Sequence, residues 1–198
     1  FSSRLDNAIK SVFSNIKQPC KVIVSINNNT LESFRESTYF DCKDVDWYCT
    51  FCPPVSRYQS FNIAVNHVAG GWILVLSDDD EILPGFLAEL NFDLYDTKTI
   101  IATRIKIFSN GNYRETVSPN KLQIESLQPI QLFFDNLFHH HLSLFVFHKA
   151  FFEEVGGYKS GGYPNGYYVD TILHAHFLSS ASRVLIDNRI AFCRKESL

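Results

Sequence analysis

No methionine occurs in the 198 residues, and the chain opens on Phe1, so it reads as an excerpt of a longer translated product. Long apolar runs are missing too. The run from Trp72 to Leu76 falls far short of the about 20 apolar residues that cross a bilayer. No stretch has the pattern of a secretory signal. Basic clusters are lacking: 18 Lys and Arg stand against 21 Asp and Glu, for a formal net charge of −3. That balance argues against the basic face of a nucleic-acid binder and against a polybasic membrane patch. Cysteines number five, an odd count that does not suit a disulfide framework. Cys49 and Cys52 have CxxC spacing, but no second pair or histidine couple follows at zinc-finger distance. Reduced thiols of a cytoplasmic protein are the expectation.

What is present is enough apolar material for one substantial core, at 45% of residues, and too little chain for two ordinary domains. Leu5, Ala8, Ile9, Val12 and Phe13 recur at helical spacing. Cys20 to Ile26 reads as a buried strand, broken by Asn27, Asn28 and Asn29. A second helix is expected over Leu31 to Ser37 and a strand over Val45 to Phe51. Phe61, Ala64, Val65 and Val68 form another helical face, stopped by Gly70 and Gly71. Trp72 to Leu76 is apolar on both faces, the habit of a central strand in an α/β sheet. Pro84 suits the first turn of a helix carrying Phe86, Leu87 and Leu90. Ile100 to Phe108 and Tyr113 to Val117 read as a hairpin around Asn110 and Gly111. Leu142 to Phe147 is strand-like, Val169 to Phe177 helical, and Val184 to Ile186 a short strand. Helices alternating with buried strands predict one α/β domain with a largely parallel sheet.

Four consecutive carboxylates, Asp78, Asp79, Asp80 and Glu81, follow directly on the Trp72 strand. They repel one another unless a cation neutralises them, and hard divalent cations take such oxygen ligands. Ligands of open α/β sheets bind outside the carboxyl ends of strands, where this cluster falls. The competing reading is a solvated acidic turn near a helix N-terminus.

The surrounding motifs resemble those of the family 2 glycosyltransferases. That family carries an early helix of the form R-x-x-x-L-x-x-A-I-x-S-V; here Arg4, Ala8, Ile9, Ser11 and Val12 follow it with slightly shorter spacing. A strand end of the form D-N-x-S corresponds to Asn27, Asn28, Asn29 and Thr30. Asn62 and Ala64, then Ala69, Gly70, Gly71 and Trp72, then the acidic triplet and Pro84, follow in the family's order. Phe147, His148 and Lys149 lead to Val155, Gly156, Gly157 and Tyr158, and then to Asp170 near the start of a helix.

The resemblance implies a GT-A fold: a Rossmann-like, mostly parallel sheet flanked by helices. A nucleotide-sugar half would span about residues 1–98 and a smaller acceptor half about 99–198. It also implies a first strand ahead of Phe1. The implied activity is inverting transfer of a sugar from a nucleotide-linked donor, UDP-linked by expectation. The acceptor would be a glycan or lipid-linked saccharide, with Mn²⁺ or Mg²⁺ as cofactor. Polysaccharide assembly in the cytoplasm, at the inner face of a membrane with peripheral contact, is the implied setting. Asp80 is the expected metal ligand, helped by Asp78. Asp78 and Asp79 are expected near the donor ribose and diphosphate, with further donor contacts from Asn27, Asn28, Arg57 and Asn62. For Arg57 an exposed arginine ahead of a helix is the favoured reading, since exposure is the norm for arginine. Asn27 stands where the family commonly has Asp, and Ser77 where it has the first Asp of its acidic motif. Asp170 falls at the place of the general base.

His139, His140 and His141 alternate faces if extended, which does not suit one shared ion. His176 is expected as a satisfied core histidine. Tyr158, Tyr163, Tyr167 and Tyr168 form a Gly-rich aromatic loop, open to sugar stacking or to core packing. Arg194 is a further candidate for a diphosphate contact. Two rivals remain: a degenerate, non-catalytic sugar-binding module, favoured by Asn27, and a nucleotidyltransferase, for which the Gly- and Arg-rich phosphate loop is not found.

Overall fold

The computed structural model describes residues 2–16, 19–27, 29–50, 54–84, 91–109, 112–115, 123–126, 130–131, 145–160, 162 and 168–195. Helix α1 spans Ser2–Asn15 and leads into strand β1, Val22–Asn27. A single 3-10 turn, Leu31–Phe34, stands where a longer helix was expected, and β2 follows at Val45–Thr50. Helix α2 is Arg57–Asn66; at its start Gln59 Oε1 accepts from both the N–H and the hydroxyl of Ser56. Strands β3 (Trp72–Leu74) and β4 (Asp80–Ile82) flank the acidic turn. Then come β5 (Thr99–Ser109), β6 (Asn112–Glu115), β7 (Gln123–Ser126), β8 (Phe145–His148), α3 (Lys149–Glu154), α4 (Val169–Ser180) and β9 (Arg183–Lys195). The helix expected after Pro84 lies outside the described residues.

The α/β class holds, but the sheets are mixed rather than largely parallel. β1 and β2 pair in parallel as a two-stranded sheet. The seven-stranded sheet contains one parallel pair, β5 with β9, and its other described ladders are antiparallel. A register shift between Ala102 and Arg104 divides the β5–β9 pair into two halves. The first half carries β8, β3 and β7; the second carries β6 and β4. The reason is connectivity. Parallel neighbours need a crossover, usually a helix, whereas β5 turns straight back into β6.

The core follows the helices. Phe145, Phe147, Phe151, Phe152, Leu173, Phe177, Ile100 and Val184 build the main cluster between the sheet and α2, α3 and α4. Ile9 of α1 packs with Val24, Ile26, Phe34 and Val45, while Val12 and Ile16 join Ile82, Ile101 and Val146. α1 thus ties the small parallel sheet to β4. Buried Lys149 sends Nζ to the carbonyl of Val65 at 2.9 Å, satisfying the C-terminal turn of α2 as a cation should. The buried histidine is His174, against the Phe145 ring, and not His176, which is half-buried. Among the described residues no helix is long and apolar enough to cross a membrane.

Candidate active site

A cleft of about 1250 Å³ opens between α1, β1, α2 and β3. Asn27, Arg57, Asp78 and Asp170 all line it, although they come from four separate stretches of chain. Four sequence-predicted site residues therefore share the lining of one cleft.

The acidic triplet is a turn. The N–H of Asp80 donates to Ser77 O at 3.1 Å, which puts Asp78 and Asp79 at the two central positions. Asp78 is exposed and Asp79 half-buried. Asp80 is already strand. The alternation of β4 buries Asp80 and Ile82 and leaves Glu81 half-buried between them, so Asp80 is 0% exposed and does not line the cleft. This corrects the expectation that Asp80 is the leading metal ligand: the pleat turns it inward, while Asp78 reaches the cleft. In the β4–β9 register Asp80 stands opposite Arg194.

Asp170 lies in the first turn of α4. Its Oδ1 accepts from Thr171 N–H at 2.9 Å. The residue before the helix, Tyr168, takes φ 63°, a left-handed conformation uncommon outside glycine. Tyr158 is fully buried in the main cluster, so of the two loop readings it takes core packing. Burial, and then the negative charge of Asp170, hold its phenol far above the usual tyrosine range. It stays neutral beside the carboxylate.

Asn62 has another job than the one expected. Its Nδ2 donates to Tyr158 O at 2.9 Å and its Oδ1 accepts from Tyr158 N–H at 2.9 Å. Both ends of the amide thus clamp α2 to the Gly156-Gly157-Tyr158 turn, and Asn62 does not line the cleft. Gly157, at φ +66°, is what lets this happen: a Cβ there would stand 2.8 Å from Asn62 Oδ1. At the end of β1, Asn27 donates Nδ2 to Val55 O at 2.9 Å. A carbonyl oxygen only accepts, so this bond fixes which way the amide points and leaves Oδ1 as acceptor. Asn28, the three consecutive histidines, Tyr163 and Tyr167 lie outside the described residues.

Sequence reasoning missed Asn29, which also lines the cleft and accepts from Thr30 N–H and the Ser33 hydroxyl. Its signals were the turn-forming habit of Asn and its place in the D-N-x-S strand end. Among the described residues no three His, Cys, Asp or Glu converge on one point.

A family model described as "Glycosyl transferase family 2" matches residues 2–156. The chain belongs to glycosyl transferase family 2. No curated protein matches it significantly. Among solved structures, TarS of S. aureus, residues 1–349, aligns at TM-score 0.72 and 12% identity, over 97% of this chain and 56% of that one. GalNAc-T7, solved with UDP, GalNAc and Mn²⁺, aligns at TM-score 0.66 and 14% identity, over 96% of this chain and 41% of that one. This family 2 domain therefore spans less than two-thirds of either neighbour, and the likeness establishes the GT-A fold.

Proposed function

We propose that this domain transfers a sugar from a UDP-linked donor to a hydroxyl of a glycan or lipid-linked saccharide, with inversion at the anomeric carbon. The single observation that carries this reading is that Asn27, Arg57, Asp78 and Asp170 line one cleft. Asn27 Oδ1 suits a base that presents a ring N–H, as uracil does. Arg57, exposed at the first turn of α2, suits the diphosphate.

A divalent cation fits the acidic turn. Mg²⁺-type sites commonly use one or two carboxylates and leave the rest to substrate phosphates. Asp78 lines the cleft and offers one carboxylate, Asp79 follows it half-buried in the turn, and among the described residues no three His, Cys, Asp or Glu stand together to cage the ion. Mn²⁺ or Mg²⁺ bound there would supply charge stabilisation for the departing diphosphate. The chain's own residues do the rest. Asp170 accepts the proton of the acceptor hydroxyl as its oxygen attacks the anomeric carbon, and the glycosidic bond to phosphate breaks on the opposite side. α4 and the Asn62–Tyr158 clamp hold the two flanks of the cleft in place.

Incubation with a panel of nucleotide sugars and Mn²⁺, followed by assay of free nucleoside diphosphate, tests the proposal. Release from a UDP-sugar above the level of the Asp170→Asn variant is expected. Tight UDP binding with no release from any donor, even with acceptors supplied, would favour the non-catalytic module instead.

A further inference from the structure

Strand β4 is the continuation of the acidic turn, and it is only three residues long. One of its edges pairs with β9. At Ile82 its other edge meets a helix. The N–H of Ile82 donates to Ser11 Oγ at 2.9 Å, and Ile82 O accepts from Asn15 Nδ2 at 3.0 Å. Ser11 Oγ donates onward to Ala8 O at 2.7 Å, and Asn15 Nδ2 also reaches Ser11 O at 2.9 Å. The two side chains are one helical turn apart, on one face of α1. They occupy both backbone groups of Ile82, as a neighbouring strand would.

Three features mark this as more than helix packing. Ser11 is buried at 8% exposure and Ile82 at 2%, so neither the hydroxyl nor the amide of this bond has ready access to water. Val12 and Ile16, flanking Ser11 and Asn15, pack against the same cluster as Ile82, so apolar and polar contacts converge on one residue. Ser and Asn are also weak helix formers whose short polar side chains compete with the helix backbone. Here those side chains are directed to a strand 67 and 71 residues away. Ile82 is two residues beyond Asp80, where the turn closes.

We infer that Ser11 and Asn15 are positioning residues for the donor site. They clamp Ile82 and so hold the turn that presents Asp78 to the cleft. The inference rests on the donor-site reading above. Its chemistry is indirect: neither residue need touch the donor, and loss of the clamp lets β4 slide or fray, spreading the Asp78 carboxylate over many positions.

The test compares wild type with Ser11→Ala, Ser11→Thr and Asn15→Ala by amide exchange and by UDP binding with and without Mn²⁺. In Ser11→Ala and Asn15→Ala, amides of residues 78–82 should exchange about tenfold faster, the scale of one lost hydrogen bond, while those of α4 and β8 keep their rates. The Kd for UDP in Mn²⁺ should rise about three- to tenfold, while the Kd without metal stays unchanged. Ser11→Thr, which keeps the hydroxyl, should restore both. Unchanged exchange over 78–82 overturns the inference. So does exchange raised equally throughout the chain, and so does a loosened β4 with an unaltered Mn²⁺-dependent Kd. A wild type whose UDP affinity ignores Mn²⁺ defeats the donor-site reading itself, before any variant is compared, and the positioning role falls with it.

Discussion

Asp170 Oδ1 accepts from Thr171 N–H, and the same residue lines the cleft. The two roles separate in Asp170→Asn, which keeps an oxygen for Thr171 and loses the base. Removing a general base typically costs about 10²–10⁴-fold in rate. Glycosyl transfer should fall by that factor with the melting temperature nearly unchanged, measured by steady-state assay beside thermal unfolding; near-normal transfer would reduce Asp170 to a helix-start residue. Asn27 makes a second residue-level case. Its amide is oriented by Val55 O, leaving an acceptor for a ring N–H. Calorimetry should rank uridine diphosphate above cytidine diphosphate, and Asn27→Asp, which abandons the donor to Val55 but keeps an acceptor, should change the ranking of uridine, guanosine and thymidine diphosphates. The same ranking in both proteins would put Asn27 outside the base pocket.

At the scale of elements, α2 and the turn after α3 are joined through Asn62 and Gly157. Gly157→Ala demands a left-handed backbone and a Cβ 2.8 Å from Asn62 Oδ1. Strain of this kind costs about 1–3 kcal/mol, and a domain of this size should melt about 3–10 °C lower. Gly162→Ala, with no atom within 4 Å of its Cβ, controls for the positive φ alone and should lose less. α1 is pinned at its other end by Asp6, which accepts from the Ser37 hydroxyl and from the N–H and hydroxyl of Thr38. Burial raises its pKa, but these bonds together lower it by more, so the carboxyl is held below the usual aspartate range. A carboxylate with a depressed folded pKa contributes stability that is present above its unfolded pKa and lost as pH falls through the folded one. Chemical denaturation of Asp6→Asn should therefore show a shallower loss of stability than wild type as pH falls below about 4. Parallel acid limbs would show that Asp6 contributes nothing.

Much of the whole molecule was legible in the order of its motifs. α1, β1, β2, α2 and α4 stand close to where apolar spacing put them. β4 escaped notice because two of its three residues are acidic, and only burial of Asp80 reveals the pleat. β9 was seen only over Val184 to Ile186; the residues that follow, 187–190, fall in the register shift against β5. α3, at six residues, is too short for periodicity to show. Of the residues the motifs singled out, Asn27, Arg57, Asp78 and Asp170 line the cleft and Asn62, Asp79 and Asp80 do not; which carboxylate points outward was not legible, since that depends on the turn closing at Ser77 and Asp80.

The turn's consequence is a separation of roles between adjacent aspartates, and one calorimetric series tests it. UDP is titrated into wild type, Asp78→Ala and Asp80→Ala, each with Mn²⁺ and without, and the melting temperature of each protein is recorded. Asp78 is exposed and lines the cleft, so Asp78→Ala should melt like wild type and lose its Mn²⁺-dependent affinity. Asp80 is fully buried in β4, so Asp80→Ala should melt lower. Mn²⁺-dependent UDP affinity that survives intact in Asp78→Ala would contradict the placement of the donor site at this turn.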